Sequence, residues 1–204
     1  MNLGPLVETH TNGDKRAYSN RVKIRGGHLK YALSLREKGL PILEFGVFKG
    51  VTAKLIHDNT EEELHLFDSF LGLPEDWRGE NGRLKKTKGS FNTKGIVPKF
   101  AVESPRVTIY KGWFKDTLPT LNIERAGLIH IDCDIYSSTI DILYGIKHII
   151  LRGTILVFDE FHRSWSTVGN EKRAFLEWVK EFNVNYTPVS HSKLEQVAFK
   201  IHSA

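Results

Sequence analysis

Short apolar runs alternating with helical patterns constrain this chain more than any other feature. The runs ILEFG (42–46), LHLFD (64–68), VTIY (107–110), LIHID (128–132) and TILVF (154–158) are rich in β-branched and aromatic residues. Most are too continuously apolar for a strand with one wet face, so both faces must be covered, as in a parallel sheet. Between them VTAKLIHDN follows Gly50 and TIDILYGIKHIIL follows Ser138. In the second of these, Ile140, Leu143 and Tyr144 are expected on one face, with Gly153 placed as a C-terminal cap. Phe175, Trp178, Val179 and Phe182 stand at helical spacing, and VNYTPV (184–189) and QVAFKI (196–201) read as two closing strands. Strands alternating with helices in this way predict a doubly wound α/β sheet with right-handed crossovers and helices on both faces.

The 204 residues suffice for one domain with a substantial core, and 40% hydrophobic with 26% charged residues is a globular composition. Cys133 is the single cysteine, so no internal disulfide forms. Residues 1–14 lack the apolar core of a secretory signal, and no stretch reaches the ~20 apolar residues of a membrane span, so a cytoplasmic protein away from membranes is expected. The net charge of +5 is spread along the chain apart from Arg83, Lys85, Lys86 and Lys88. That cluster reads as a solvated loop, or as a sign of an acidic or nucleotide-linked substrate. Two segments break the alternation. Residues 1–24 are polar and irregular and lead into the helix-like HLKYALSLREKG, so residues 1–40 form a helical or lid-like amino-terminal segment. Residues 71–105 show no period and read as an insertion loop, which in a compact domain has a function or is mobile.

In an open α/β sheet the ligand sits beyond the carboxyl ends of the strands, so the residue after each run is the informative one. The first run continues as Glu44-x-Gly46-x-x-x-Gly50. The glycines suit a tight turn close to a ligand, but Phe48 stands where a dinucleotide fingerprint needs its second glycine. An acid there suits an ammonium-bearing ligand, while a plain strand–helix turn explains the glycines equally. The second run ends in Asp68, 24 residues after Glu44, where an acid accepts two ribose hydroxyls or caps the following turn. Gly112, Trp113 and Phe114 follow the third run and offer flat apolar faces to an adenine ring, or simply to the core. Asp132 ends the fourth run and Asp159 and Glu160 end the fifth. With neighbouring strands ~4.8 Å apart, the three carboxylates converge, and a hard divalent ion such as Mg²⁺, a proton or a basic side chain must relieve their repulsion. His130 is expected in the core, and Cys133 as a small buried packer.

Taken together, LEFGVFKGVTAKLI, LFDSFLGLPEDW, KGWFKDTLP, LIHIDCDIYSSTIDIL, GTILVFDEF and QVAFKI resemble the macrocin O-methyltransferase-like family of class I S-adenosylmethionine-dependent methyltransferases, over roughly residues 40–201. The resemblance implies a Rossmann-like, seven-stranded, mostly parallel sheet whose last strand is antiparallel. It implies that Glu44, Gly46 and Gly50 line the methionine part of S-adenosylmethionine, and that Asp68 holds the ribose with Ser69 beside it. Gly112, Trp113 and Phe114 would surround the adenine, with Asp132 close to the cofactor. It also implies a metal at Asp132, Asp159 and Glu160, the 27-residue spacing from Asp132 to Asp159 matching the metal-dependent branch. That branch has Asp-Asp where this chain has Asp159-Glu160, which moves the second carboxylate by a methylene.

The activity so implied is transfer of a methyl group to a hydroxyl of a small molecule, a sugar or another vicinal diol, assisted by the metal. His162 and Asp134 are the candidates for the base, with Asp132 in the catalytic group; an exposed loop histidine and a turn-pinning aspartate are the plainer accounts. A metal-independent methyltransferase acting on another acceptor remains open. Nucleic acid is disfavoured as acceptor, because the basic residues form no stripe with interleaved aromatics and the Asn/Asp-Pro-Pro-aromatic signature is absent. A non-catalytic nucleotide-binding module would keep Glu44 and Asp68 without the acid cluster, and Phe48 argues against a nicotinamide dehydrogenase. A homo-oligomer is left open.

Overall fold

The computed structural model describes residues 15–79, 82–161 and 170–204, with side chains from residue 24 onward. Helix α1 (Lys15–Leu35) precedes β1 (Ile42–Phe45), α2 (Val51–Asp58) and β2 (Leu64–Asp68). The hairpin β3 (Trp77–Arg78) and β4 (Leu84–Lys86) and the short α3 (Lys99–Glu103) lead to β5 (Val107–Lys111) and α4 (Phe114–Thr117). Then come β6 (Leu128–Ile131), α5 (Tyr136–Gly145), β7 (Ile155–Phe158), α6 (Asn170–Glu181), β8 (Asn185–His191) and β9 (Val197–Ser203).

Seven strands form one sheet in the order β5-β2-β1-β6-β7-β9-β8. β5, β2, β1, β6 and β7 run parallel, and β9 lies antiparallel between β7 and β8. This is the expected doubly wound sheet with its last strand reversed. The central strands β1, β6 and β7 are buried along their whole length, as their unbroken apolar runs require.

Alternate residues feed two cores. Leu43, Phe45, Phe67, Ile131 and Phe158 pack beneath α5 and α6 with Leu143, Phe175 and Trp178. Ile42, Leu64, Leu66, Leu128 and Val157 pack beneath α1 and α2 with Leu29, Leu33 and Ile56. That period of two decides where the strand-end side chains go: Glu44 and His130 continue the α1/α2 face.

Three local expectations are corrected. The segment expected to be irregular before residue 24 is helical from Lys15. The helix after Ser138 ends at Gly145 and passes into a 3₁₀ turn, Lys147–Ile149; position 145 takes glycine to make room for Leu118, since a Cβ there would lie 2.6 Å from its Cδ1. Its buried face is Ser138, Thr139, Ile142 and Leu143 rather than the stripe through Tyr144, which is exposed. Part of residues 71–105 is ordered against the site: Trp77 and Leu73 cluster with Ile135, and Ser137 Oγ donates to Glu75 at 2.6 Å.

Candidate active site at the carboxyl edge of the sheet

The turn after β1 is built from the backbone outward. Gly46 has φ of 90°, and a Cβ there would fall 1.8 Å from the carbonyl oxygen of Asp132. Only glycine lets β1 and β6 end side by side. Gly50, at φ 74°, stands before α2, where a Cβ would press on Pro98 at 2.5 Å. Asp68 locks this turn. Its Oδ2 accepts the N–H groups of Val47 at 2.8 Å and Phe48 at 2.7 Å, and its Oδ1 accepts that of Phe70 at 2.6 Å. A carboxylate has about four acceptor sites, so capacity remains for a ligand hydroxyl. Phe48, Phe70 and Asp134 are all left-handed non-glycine residues, with φ of 51°, 58° and 65°. Each follows the carboxyl end of a strand, and such outliers gather at functional sites.

Glu44 is fully buried. Its Oε1 accepts from Thr52 Oγ1 and lies 3.2 Å from His130 Nδ1, its register partner on β6. Its Oε2 and His130 Nε2 are buried without a protein hydrogen-bond partner. Unpaired buried polar atoms on a register pair of adjacent strands mark a place for a ligand or ordered water. On the outer side, Ser69 Oγ accepts from Leu71 N at 3.1 Å and donates to the Gly72 carbonyl, which shapes the loop after β2. Gly112 donates to the Asp68 carbonyl at 3.0 Å. Trp113 and Phe114 are both half-buried at the start of α4, and Phe114 packs edge-on against the core residue Phe45 at 5.5 Å.

The ends of β6 and β7 hold the acid cluster. His130, Asp132 and Asp159 each present a ligand atom within 4.8 Å of the others. Glu160, expected as the third ligand, is not in that group; it lies toward Arg25 of α1, 3.6 Å from Nη2. Arg25 Nη1 also stands 2.8 Å from Asp159 Oδ2, and Asp159 Oδ1 accepts from Gln196 Nε2 at 2.5 Å. Burial, with Asp159 and Asp134 adding to it, pushes the Asp132 carboxyl well above the usual range, against the pull of Arg25. Burial works against charge on Arg25, yet Asp159, Asp132, Glu160 and Glu195 raise its pKa overall. Two carboxylates and an imidazole form a mixed nitrogen–oxygen donor set, which suits Mn²⁺ or Zn²⁺ better than the all-oxygen Mg²⁺ set expected.

Sequence reasoning missed Arg25 and Glu171. Nothing in α1 announces that Arg25 will cross to β7. Glu171 looks like an ordinary first-turn acid of α6, yet it is fully buried. Its Oε1 accepts from Cys133 N at 3.2 Å and Asp134 N at 3.3 Å, and its Oε2 from Glu160 N at 3.0 Å. One carboxylate therefore ties together both turns that carry the acids. Burial, with Asp159 and Asp134, pushes it up to about 8, while the Glu160 and Cys133 amides pull the other way. Asn170 Nδ2 donates to the Asp134 carbonyl at 3.4 Å and holds the same turn. His162 lies outside the described residues. Cys133 is buried, as expected, with Sγ 3.3 Å from Thr139 Oγ1. Among the described residues no helix is long and apolar enough to cross a membrane.

The comparisons with known proteins bear on the family and the fold. The demethyldecarbamoylnovobiocin O-methyltransferase of Streptomyces niveus is 28% identical over 138 residues, covering 59% of this chain and 52% of that protein. The 8-demethyl-8-(2,3-dimethoxy-α-L-rhamnosyl)-tetracenomycin-C 4'-O-methyltransferase of Streptomyces olivaceus is 26% identical over 141 residues, covering 60% and 54%. The matched part thus spans about half the length of these relatives. The solved structure of the O-methyltransferase NovP superposes with a TM-score of 0.64 at 22% identity, covering 90% of this chain and 80% of that one, which shows the common fold. A family model described as Macrocin-O-methyltransferase (TylF) matches residues 32–188, more than half of the chain. The resemblance drawn from the strand-end motifs is borne out: the chain belongs to the macrocin O-methyltransferase (TylF) family.

Proposed function

We propose that this chain transfers the methyl group of S-adenosylmethionine to a hydroxyl of a sugar or another vicinal diol on a small molecule. The observation that carries the reading is the row of strand-end groups along one sheet edge, Asp68, Glu44, Asp132 and Asp159, in a chain of this family. The tetracenomycin relative, named for a rhamnosyl 4'-hydroxyl, supports a sugar acceptor. In the proposed arrangement Glu44, Gly46 and Gly50 face the methionine part, Asp68 uses its remaining acceptor capacity on the ribose with Ser69 alongside, and Gly112, Trp113 and Phe114 border the adenine. The acceptor lies over Asp132 and Asp159, and the protein's work is to bring its oxygen in line with the sulfonium methyl.

The acceptor oxygen's lone pair forms the new bond to the methyl carbon. The carbon–sulfur bond electrons pass to sulfur, leaving S-adenosylhomocysteine, and the hydroxyl proton goes to a base. Asp134 and His162 are the proposed bases, with Asp132 beside the reacting hydroxyl. A divalent cation, when bound, supplies Lewis acidity that lowers the pKa of that hydroxyl. His130, Asp132 and Asp159 are the residues placed to hold it, with Glu160 next to them. The raised Asp132 carboxyl and the unpaired His130 Nε2 fit such a ligand.

Calorimetric titration with S-adenosylmethionine, with NAD as control, tests the first half. Mass-spectrometric detection of a 14-dalton gain on rhamnosylated acceptors tests the second. No heat with S-adenosylmethionine, with or without Mn²⁺ or Mg²⁺, would sink the proposal.

A further inference from the structure

We propose that Arg25 is the resident counter-ion of the strand-end acids, and that a divalent cation takes His130, Asp132 and Asp159 only as this guanidinium withdraws, making α1 a cation-sensitive strap over the acceptor site. The inference rests on reading these acids as the acceptor's place.

Arg25 comes from a different element and reaches across to the ends of β7 and β9. Its Nη1 holds Asp159 Oδ2 at 2.8 Å, and its Nη2 lies 3.6 Å from Glu160 and 4.0 Å from Glu195. Oxygen ligands of small divalent ions sit at about 2.0–2.2 Å. A cation on Asp159 would therefore share its carboxylate with the guanidinium. Two positive charges so close, in a region largely closed to water, repel strongly. The three ligand atoms lie within 4.8 Å of one another, and Arg25 sits against one of them.

The helix has a place to give way. Gly26 and Gly27 follow Arg25 directly inside α1, and paired glycines weaken a helix interior. Gly26 has a packing reason, since a Cβ there would lie 2.9 Å from Leu55 Cδ1. Gly27 has none: nothing stands within 4 Å of its missing Cβ. Beyond the pair, Leu29, Ala32 and Leu33 anchor the rest of α1 in the core. The segment carrying Arg25 can then lift while the remainder stays docked.

The probe is Mn²⁺ alone, with free ion followed by electron paramagnetic resonance on the full chain and its Arg25→Met and Arg25→Lys variants. The Met variant is expected to bind at least tenfold more tightly than wild type and the Lys variant close to wild type, with binding lost when Asp132→Asn is added to Arg25→Met. Equal or weaker binding by the Met variant overturns the proposal, as does absence of Mn²⁺ binding in every form. Should Arg25→Met fail to fold by circular dichroism, the wild type still decides. Saturating Mn²⁺ should speed tryptic cleavage at Lys23 and Arg25; protection or no change overturns the strap. None of these measurements uses methyl transfer. Competition for Mn²⁺ without any methyl transfer would therefore discard the proposed function and leave the Arg25 competition standing.

Discussion

The carboxylate of Asp68 holds the Phe48 backbone in a left-handed conformation, taking its N–H at 2.7 Å while Phe48 sits at φ 51°. The other oxygen does the same for Phe70, at 2.6 Å and φ 58°. A left-handed bulky residue costs about 1–2 kcal/mol, so two such turns need a fixed partner, and Asp68 is that partner. Its role is thus at least partly architectural. Asp68→Ala leaves three backbone donors without their acceptor and should lower unfolding free energy by about 3 kcal/mol or more. Asp68→Asn keeps one acceptor and should lose about half as much. Urea denaturation of both variants checks this, and a stability of Asp68→Ala equal to wild type would remove Asp68 from the turn. S-adenosylmethionine affinity is best compared in the Asn variant, which keeps the loop closest to native.

Glu171 makes stability depend on pH. Its carboxyl lies at about 8 in the folded protein against 4.5 for an ordinary glutamate. Between those values the folded state keeps a proton that the unfolded chain has released, so stability falls as pH rises through the window and levels off above it. Asp132, also raised, acts in the same direction. His28, lowered chiefly by burial, opposes them only below its ordinary 6.5. The range from pH 6.5 to 8 therefore isolates the acids. Denaturation across it should show a downward slope of up to about 1.4 kcal/mol per pH unit for each proton retained. Glu171→Gln should reduce it, leaving the part that Asp132 contributes. A stability that is level or rising over this range in wild type would contradict the buried, protonated state.

Legibility in the sequence followed the range of the interactions. The strands were readable because burial on both faces leaves an unbroken apolar run, and the glycine turn was readable because its chemistry is local. Helix ends were not: α5 stops at Gly145, and the close approach of Leu118 that calls for a glycine there comes from 27 residues away. Within the site, Asp68, Asp132 and Asp159 stand where strand ends announce them. Arg25 reaches Asp159 across 134 residues, and Glu171 takes the Cys133 amide across 38, and neither pairing leaves a local mark. His130 was legible as a core residue, but its pairing with Glu44 depends on the β1–β6 register.

Gly46 tests how tightly the two strand ends are joined. An alanine there would place Cβ 1.8 Å from the Asp132 carbonyl at a φ of 90°. Backbone must move on one side or the other, and the site acids move with it. Gly46→Ala should cost on the order of 3–5 kcal/mol, the sum of overpacking and left-handed strain. Thermal unfolding would show this directly. A variant melting within a few degrees of wild type would mean that the β1 and β6 ends are less closely seated than the structure has them.

Trp113 and Phe114 are both half-buried, and they differ in what they touch. Phe114 meets Phe45 edge-on at 5.5 Å, Phe45 stacks on Phe67 at 4.6 Å, and Phe67 on Tyr110 at 4.1 Å. Phe114 therefore caps, half-buried, an aromatic column that runs into the core. Truncating it should cost about 2 kcal/mol, less than for a fully buried phenylalanine. Trp113 is half-buried at the start of α4 and takes no part in that column. Trp113→Ala should weaken S-adenosylmethionine binding several-fold while lowering the melting temperature less than Phe114→Ala does. Calorimetry and thermal unfolding on the two variants give both readouts. If Phe114→Ala leaves stability untouched and Trp113→Ala leaves affinity untouched, the adenine lies elsewhere along the β2–β5 edge.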